Sequence, residues 1–337
     1  MRIAVIGTGR IGTMHARNLS AVEQVETVLL HDSVPGAARA AAADLGEGHV
    51  AVDSLEEVLD RADGVVIATN TSTHPAVIRA AVEAGVPALC EKPIASDLAS
   101  MIEVVDLVES RGDTVLVGFQ RRFDPVLTDL KRRIDAGRLG DLLVVRATGC
   151  DATPPDPAYV PTSGGIFRDL LIHDLDAVPW LVGEPVVEVS AQGSVLVDQM
   201  FADADDVDVA TVTLTFASGA IAQLAGTRLN PIGYDHRVEV LGSRDSLMVG
   251  LSDAEHTPLA FLGPDGRTVS ADPYTGFPTR FAAAYAAEME AFCDVIAGRR
   301  DNPSPVRDSL VSLELAEACE RSRRTGAPVR LDVVTTS

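Results

Sequence analysis

The sequence predicts an α/β fold: an N-terminal doubly wound parallel sheet, followed by a C-terminal α+β domain with an open, mainly antiparallel sheet. Three observations predict it. A glycine pattern follows the first apolar run, strand-like and helix-like segments alternate through the first third of the chain, and successive β-like runs fill most of residues 186–270. We place the domain boundary so that the domains span residues 1–120 and 121–337.

The glycine pattern lies at the start of the chain. Residues 3–6 form a short apolar run, as a buried parallel strand does, and Gly7, Gly9 and Gly12 then fit the spacing G-x-G-x-x-G. The first glycine permits a tight turn, the second lets the backbone approach a pyrophosphate, and the third lets the next helix pack close to the sheet. The N–H groups at the start of that helix favour phosphates.

An acidic residue closes the second predicted strand, residues 25–30, and stands 20 residues after Gly12. This residue, Asp32, is placed to accept hydrogen bonds from both ribose hydroxyls of an adenosine. Neither neighbour, His31 or Ser33, is an arginine that would pair with a 2′-phosphate. Strand, glycines, helix and acid in register therefore predict a Rossmann domain that binds NAD rather than NADP.

The remaining elements follow in order. In the first domain we predict strands at 63–69, 88–90 and 114–118, and helices at 35–45, from Asp53 or Ser54, at 75–84, and from Ser96 or Asp97 to 110. The second domain contains a predicted helix at 124–136, a strand at 142–148, and helices at 279–297 and 305–323. Its β-like runs are 186–197, 207–216, 219–227, 234–241, 245–250 and 258–263. A sheet with one half-exposed face needs a cover, so we expect a homodimer or homotetramer.

Composition narrows the function classes. The chain has a net charge of −21, which argues against nucleic acid or an anionic membrane as a partner. Its four cysteines are widely spaced and are expected to be reduced thiols. The first strand begins at residue 2, leaving no room for a signal peptide, and no apolar stretch is long enough to span a bilayer. We therefore expect a cytoplasmic protein with a small-molecule substrate.

Two polar segments follow predicted strands of the first domain. Lys92, in Cys90-Glu91-Lys92-Pro93, is placed to reach a cofactor or substrate oxygen, because ligands bind beyond the carboxyl ends of parallel strands. The proline suggests a cis bond, and a surface lysine before a turn is the alternative. In the second segment, residues 118–125, Arg121 or Arg122 either lends positive charge to the crevice or forms an interdomain salt bridge.

A third polar segment, residues 164–176, places Asp169, His173 and Asp176 at i, i+4 and i+7 on one predicted helical face. An apolar stripe of Leu171, Leu175, Val178 and Val182 occupies roughly the opposite face. A carboxylate one turn before a histidine orients it and supports its protonated form, which suits a base that takes a hydroxyl proton. A solvated helix face is the alternative. We predict no metal, because no third ligand is near and hydride transfer to a nicotinamide needs none.

Together these motifs resemble the glucose-fructose oxidoreductase/inositol dehydrogenase (Gfo/Idh/MocA) family, over essentially the whole chain. The resemblance implies NAD-dependent oxidation of a secondary alcohol of a cyclic polyol or sugar to the ketone, with inositol 2-dehydrogenation as the predicted reaction. One departure is Gln120, which stands where inositol enzymes carry methionine. The alternatives are a relative acting on another sugar or keto-sugar, and a non-catalytic dinucleotide-binding sensor, which the retained catalytic residues disfavour.

The motifs and the resemblance together assign residues to three roles. The implied catalytic residues are Lys92, Asp169 and His173. The predicted cofactor-binding residues are Gly7, Gly9, Arg10, Ile11, Gly12, Asp32, Thr69, Asn70, His74, Glu91 and Lys92. The predicted substrate-binding residues are Lys92, Gln120, Arg121, Asp151, Asp169, His173, Asp176 and Tyr234.

Overall fold

The fold is described from a computed structural model, which describes residues 1–112, 115–250, 261–262, 268–269 and 274–332. The chain divides into two compact units. Unit 1 comprises Met1–Asp124 and Ala283–Leu310, and unit 2 comprises Pro125–Ala282 and Val311–Ser337. No helix among the described residues has the length and apolarity needed to cross a membrane.

The strands, in chain order, are β1 Arg2–Ile6, β2 Thr27–His31, β3 Val50–Ala51, β4 Gly64–Ile67, β5 Ala88–Glu91, β6 Val115–Gly118, β7 Leu142–Cys150, β8 Val186–Ser194, β9 Val209–Phe216, β10 Ile221–Thr227, β11 Asp235–Gly242, β12 Ser246–Val249, β13 Phe261–Leu262, β14 Thr268–Val269 and β15 Val329–Arg330.

The α-helices, in chain order, are α1 Arg10–Ser20, α2 Ala37–Leu45, α3 Leu55–Arg61, α4 His74–Glu83, α5 Leu98–Ser110, α6 Pro125–Asp135, α7 Ile166–Asp169, α8 Ile172–Val182, α9 Gln199–Asp203, α10 Phe277–Arg280, α11 Ala282–Ile296 and α12 Val306–Thr325. Short 3₁₀ turns occupy Thr71–Thr73, Gln120–Phe123 and Val160–Thr162.

Unit 1 is a six-stranded sheet of order β3-β2-β1-β4-β5-β6, in which every neighbouring pair is parallel. The chain therefore winds outward from β1 in both directions, which confirms the doubly wound sheet. Two helix starts follow the predicted capping chemistry. The side chain of Ser54 accepts a hydrogen bond from Glu57 N at 3.1 Å, and that of Asp97 accepts one from Ser100 N at 2.9 Å.

Unit 1 also contains a late segment of the chain. On α11, Met289, Phe292 and Cys293 are buried in the same apolar cluster as Ile3 and Leu30 of the sheet. This return differs from the single boundary at 120/121 that the sequence suggested. The physical reason is the apolar face of α11, which packs into this cluster and which periodicity alone cannot assign to one domain or the other.

Unit 2 is built on a seven-stranded sheet of order β12-β11-β7-β10-β9-β8-β15. All its neighbouring pairs are antiparallel except β7 and β10. The mainly antiparallel sheet is thus confirmed, with β10 at its centre and β15 added at one edge. Of the predicted run at 258–263, only Phe261–Leu262 lies within the described residues, and it pairs with β14 rather than with this sheet.

Candidate active site

The glycine turn has the shape that a dinucleotide needs. At Gly7 (φ +93°) a Cβ atom would lie 2.6 Å from the carbonyl oxygen of Ala68, and at Gly12 it would lie 1.8 Å from that of Gly7. At Gly9 a Cβ would meet nothing within 4 Å, so the space beside this residue is open. Gly9 is also the N-cap of α1 and provides no side-chain cap. A tight turn, an open backbone and an uncapped helix start fit a pyrophosphate.

Asp32 is held by residues of the same turn. Its Oδ2 accepts hydrogen bonds from the backbone N–H and the hydroxyl of Thr8, at 2.7 and 2.8 Å, and its Oδ1 accepts one from Val34 N at 2.8 Å. Burial raises the pKa of Asp32, but these hydrogen bonds outweigh it and hold the pKa below its ordinary value. Three of about four acceptor positions of the carboxylate are thus occupied. The contact of Asp32 with both ribose hydroxyls stays a prediction.

Lys92 follows directly after β5, at the carboxyl end of the strand, and the Lys92–Pro93 peptide is cis, as the sequence suggested. The buried ring of His74 connects this segment to the loop after β4. Its Nδ1 lies 2.8 Å from the carbonyl oxygen of Pro93, and its Nε2 lies 3.1 Å from that of Thr69. Burial lowers the pKa of His74 more than the two carbonyls raise it. His74 therefore lies between the two loops and donates to one of the two carbonyls when neutral, and its contact with a cofactor stays a prediction.

Of the other predicted cofactor residues, Glu91 is the last residue of β5, and four lie at the carboxyl ends of β1 and β4. Arg10 and Asn70 are exposed, while Ile11 and Thr69 are half-buried. The Thr73 hydroxyl donates to Thr69 Oγ1 at 2.8 Å. These residues are accessible in the structure, as a binding role requires.

The segment after β6 holds the two arginines of the second polar segment. Arg122 donates to Asp308 Oδ2 at 2.7 Å and to the carbonyl oxygen of Pro303 at 3.2 Å, and all three residues belong to unit 1. This salt bridge is therefore internal to unit 1, and the interdomain salt bridge stays a prediction. Gln120 and Arg121 are almost completely buried. Their contact with a substrate stays a prediction.

The predicted helix through Asp169, His173 and Asp176 is broken. α7 ends at Asp169 and α8 begins at Ile172. In the intervening turn, Leu171 N–H donates to the carbonyl of Ile166, five residues back, at 2.9 Å. Leu170 and Leu171 are both buried, and Leu171 fits against Gly226 of β10, where a Cβ would lie 2.9 Å from its Cδ2 atom. The turn lets both leucines be buried. An i, i+4 sequence pattern does not show that such a turn is needed.

The apolar stripe is confirmed at Leu171, just before α8, and at Leu175 and Val178 on the helix: all three are completely buried, while Val182 is half-buried. The polar face is not a solvated one. Asp176 is 2% exposed and lies 3.5 Å from the hydroxyl of Ser312, whereas His173 is half-buried. The solvated-face alternative is therefore wrong for Asp176. Tyr234, the predicted substrate-contacting tyrosine, is also buried and packs edge-on against Phe281.

A buried arginine organises the predicted carboxylates of unit 2. Arg228 Nη1 lies 2.9 Å from Asp169 Oδ2 and 3.3 Å from Asp151 Oδ2. Burial lowers the pKa of Arg228, but the two carboxylates raise it further, so the pKa lies above its ordinary value. The hydroxyl of Tyr159 donates to Asp169 Oδ1 at 2.9 Å. Both oxygens of Asp169 are thus held in place, and its predicted orienting of His173 stays a prediction.

Sequence reasoning missed Thr8, Arg228 and Tyr159. Each has a position in the sequence that could have singled it out. Arg228 directly follows the last residue of β10, and Tyr159 lies in the proline-rich stretch at 151–163. Thr8 lies between the first two glycines, where a hydroxyl can reach the acid that ends the second strand.

A parallel sheet with a dinucleotide-shaped turn, joined to a sheet domain that carries charge-paired carboxylates and a half-buried histidine, defines a two-domain dinucleotide-dependent oxidoreductase. Residues 1–119 match the model of the oxidoreductase family with an NAD-binding Rossmann fold, and residues 127–248 match that of the GFO/IDH/MocA C-terminal domain. The chain belongs to the GFO/IDH/MocA oxidoreductase family, as the sequence motifs indicated.

Individual relatives match over nearly their whole length. The chain is 38% identical to a myo-inositol dehydrogenase of Streptomyces leeuwenhoekii, over 97% of this chain and 98% of that protein. It is 35% identical to the scyllo-inositol 2-dehydrogenase (NAD(+)) of Bacillus subtilis, over 99% of this chain and 97% of that protein. The crystal structure of a myo-inositol dehydrogenase from Corynebacterium glutamicum superposes with a TM-score of 0.90 at 36% identity, covering 98% of this chain and 99% of that one.

Proposed function

We propose that this protein oxidises a secondary alcohol of a cyclic polyol to the ketone with NAD, and that its substrate is an inositol oxidised at C2. Relatives at 35–38% identity include both a myo-inositol and a scyllo-inositol dehydrogenase. A more distant structure, a myo-inositol dehydrogenase from Lactobacillus casei in complex with NAD(H) and myo-inositol, is 25% identical with a TM-score of 0.85 and covers 100% of this chain and 98% of that one.

The observation that carries the proposal is the group formed by Arg228, Asp151 and Asp169 in unit 2. A polyol presents many O–H donors and no charge, so it needs fixed acceptors. Two carboxylates that share one buried guanidinium supply acceptors whose charge is already half-neutralised. Such a pair binds hydroxyls without the repulsion that two unpaired carboxylates would create.

The chain's own residues divide the remaining tasks. His173, half-buried at the start of α8, takes the proton of the reacting hydroxyl. Asp169, fixed by Arg228 and Tyr159, supports the imidazolium that forms. Lys92 donates a hydrogen bond to the reacting oxygen and stabilises its developing negative charge. The bound nicotinamide supplies the hydride acceptor.

The glycine turn and Asp32 hold the nucleotide portion of the cofactor. The pyrophosphate meets the backbone of Gly9 and the start of α1, and the ribose meets the Asp32 carboxylate. Asp32 stays ionised because its pKa lies below its ordinary value. A fixed negative charge disfavours the 2′-phosphate of NADP.

A panel of polyols tests the substrate. NADH formation is measured with myo-inositol, scyllo-inositol, a hexose and an acyclic polyol of similar size, at equal concentrations. We expect turnover with at least one inositol to exceed that with the hexose and the acyclic polyol. A clear preference for a hexose or for another sugar would replace the inositol by a different substrate of the same family. NAD binding with no turnover on any member would favour the sensor.

We further propose a homodimer or homotetramer in the cytoplasm. The sheet of unit 2 supports assembly, because Leu143, Ile221 and Met248 are large apolar side chains on it that are 51%, 41% and 45% exposed. Exposed apolar side chains grouped on one sheet mark an interaction surface. The cytoplasmic location expected from the sequence stays a prediction.

A further inference from the structure

Beneath the Lys92 segment lies a buried group of three titratable side chains that the proposed chemistry does not use. His15 comes from α1, Glu91 from the end of β5 and Glu288 from α11. Each offers one nitrogen or oxygen atom, and these three atoms lie within 4.8 Å of one another. His15 and Glu288 are completely buried, and the Glu91 side chain is only 14% exposed. All three belong to unit 1.

The hydrogen bonding within this group is incomplete. His15 Nε2 lies 2.6 Å from Glu91 Oε1, so a proton on Nε2 is donated to that carboxylate and His15 Nδ1 is then an acceptor. Neither oxygen of Glu288 is hydrogen-bonded to any residue that the structure describes, and neither is His15 Nδ1. Tyr285, on the same helix as Glu288, packs edge-on against the His15 ring, and the two ring centroids lie 5.7 Å apart.

Two ionised carboxylates at this separation, both shielded from water, repel strongly and leave Glu288 with no donor. One proton removes both problems, because it cancels one charge and turns Glu288 into a hydrogen-bond donor. Burial, and then the neighbouring Glu91, raise the pKa of Glu288 well above its ordinary value, which agrees with this placement of the proton.

We propose that Glu288 is a neutral carboxylic acid that shares its proton with Glu91, and that Glu288 and His15 together are positioning residues for Lys92. Glu91 then carries one negative charge and is held from two sides, by the imidazole of His15 and by the acid of Glu288. Lys92 is the next residue in the chain, so the orientation of Glu91 fixes where the lysine leaves β5. This role for Lys92 rests on the proposed function, whereas the shared proton does not.

The proton is tested by thermal unfolding, without reference to activity. Glu288→Gln keeps the shape of the side chain and its donor but cannot ionise, and Glu290→Gln, at an exposed position of the same helix, is the matched control. A group whose pKa is raised by folding stabilises the fold below its unfolded pKa, and this stabilisation is lost as the pH rises through the folded pKa. The melting temperature of Glu288→Gln should therefore gain on the wild type as the pH rises above 4.5, the ordinary pKa of a glutamate, and that of Glu290→Gln should follow the wild type.

Two results would overturn the shared proton. One is a pH dependence of Glu288→Gln identical to that of the wild type, since an ionised Glu288 gives no such difference. The other is a metal response: chelation by EDTA lowers the wild-type melting temperature and Zn²⁺ restores it, with no effect in Glu288→Gln. In that case the three side chains bind a cation.

Positioning is tested by kinetics with NAD and an inositol. Glu288→Gln should keep kcat within about threefold, whereas Glu288→Leu, which has no donor, should lose about tenfold or more in kcat with the Kd for NAD nearly unchanged. A Glu288→Leu variant with normal kcat would show that the group does not position Lys92. If the wild type itself has no activity, the proposed function fails, and the thermal experiment still decides the proton.

Discussion

Arg228 and Asp169 form a buried ion pair, with Nη1 of the arginine 2.9 Å from Oδ2 of the aspartate and only 3% of the arginine side chain exposed. The aspartate ends α7, and the arginine directly follows β10. The pair therefore ties the turn before His173 to the central strands of the unit 2 sheet. The arginine occupies Oδ2 of Asp169, and the hydroxyl of Tyr159 donates to Oδ1, so each oxygen of the carboxylate has one partner.

Removing this arginine should affect both stability and activity. Arg228→Met leaves Asp151 and Asp169 without their buried counter-charge, so we expect a loss of about 3–5 kcal/mol in the free energy of unfolding. In the fraction that stays folded, kcat/KM should fall about 100-fold, because displaced acceptors no longer orient the substrate. Denaturant unfolding and steady-state kinetics measure the two effects.

The matched control is Arg17→Met, whose arginine pairs with Asp44 at an exposed position of unit 1. Because exposed ion pairs contribute little, this variant should change the free energy of unfolding by about 1 kcal/mol or less and leave kcat/KM unchanged. Equal effects of the two substitutions would show that Arg228 has no special place in the site.

Cofactor preference should follow the charge at the end of β2. In the double variant Asp32→Ala, Ser33→Arg, the acceptor for the ribose is lost and a guanidinium is gained. We expect kcat/KM with NAD to fall about 10- to 100-fold, the worth of a charge-assisted hydrogen bond, and use of NADP to become measurable. A wild type that already prefers NADP would contradict the role given to Asp32.

Assembly should depend on the exposed apolar side chains of the unit 2 sheet. Light scattering at micromolar concentration should give the mass of a dimer or tetramer for the wild type. Ile221→Lys places a charge among these side chains. It should shift the population toward the monomer while the monomer itself stays folded. A monomeric wild type would contradict the proposed assembly.

Local sequence signals predicted the first sheet almost completely. The glycine spacing, the capping residues Ser54 and Asp97, and the alternation of strands and helices are short-range features, and each is found as expected. The seven-stranded sheet was predicted in class but not in order. Its interior strand β7 and edge strand β15 pair with segments distant in the chain, and local patterns carry no information on such pairing.

The candidate site divides in the same way. Spacing singled out Asp169 and His173 but suggested one continuous helix, because the i, i+4 pattern cannot register a turn made by the packing of Leu171 against Gly226. Arg228 and Glu288 were missed because their partners, Asp169 and Glu91, lie 59 and 197 positions away along the chain. Long-range charge pairing of this kind is visible only after folding.

The most direct test of the account is the turnover of His173→Ala with NAD and the inositol that the wild type prefers, measured beside a titration of NAD binding. Loss of a positioned proton acceptor should lower kcat by about two to four orders of magnitude, with NAD binding nearly unchanged. Asp169→Asn should do less damage, because it disturbs the base without deleting it. Near-normal turnover of His173→Ala would contradict the proposed mechanism and leave His173 a structural residue at the start of α8.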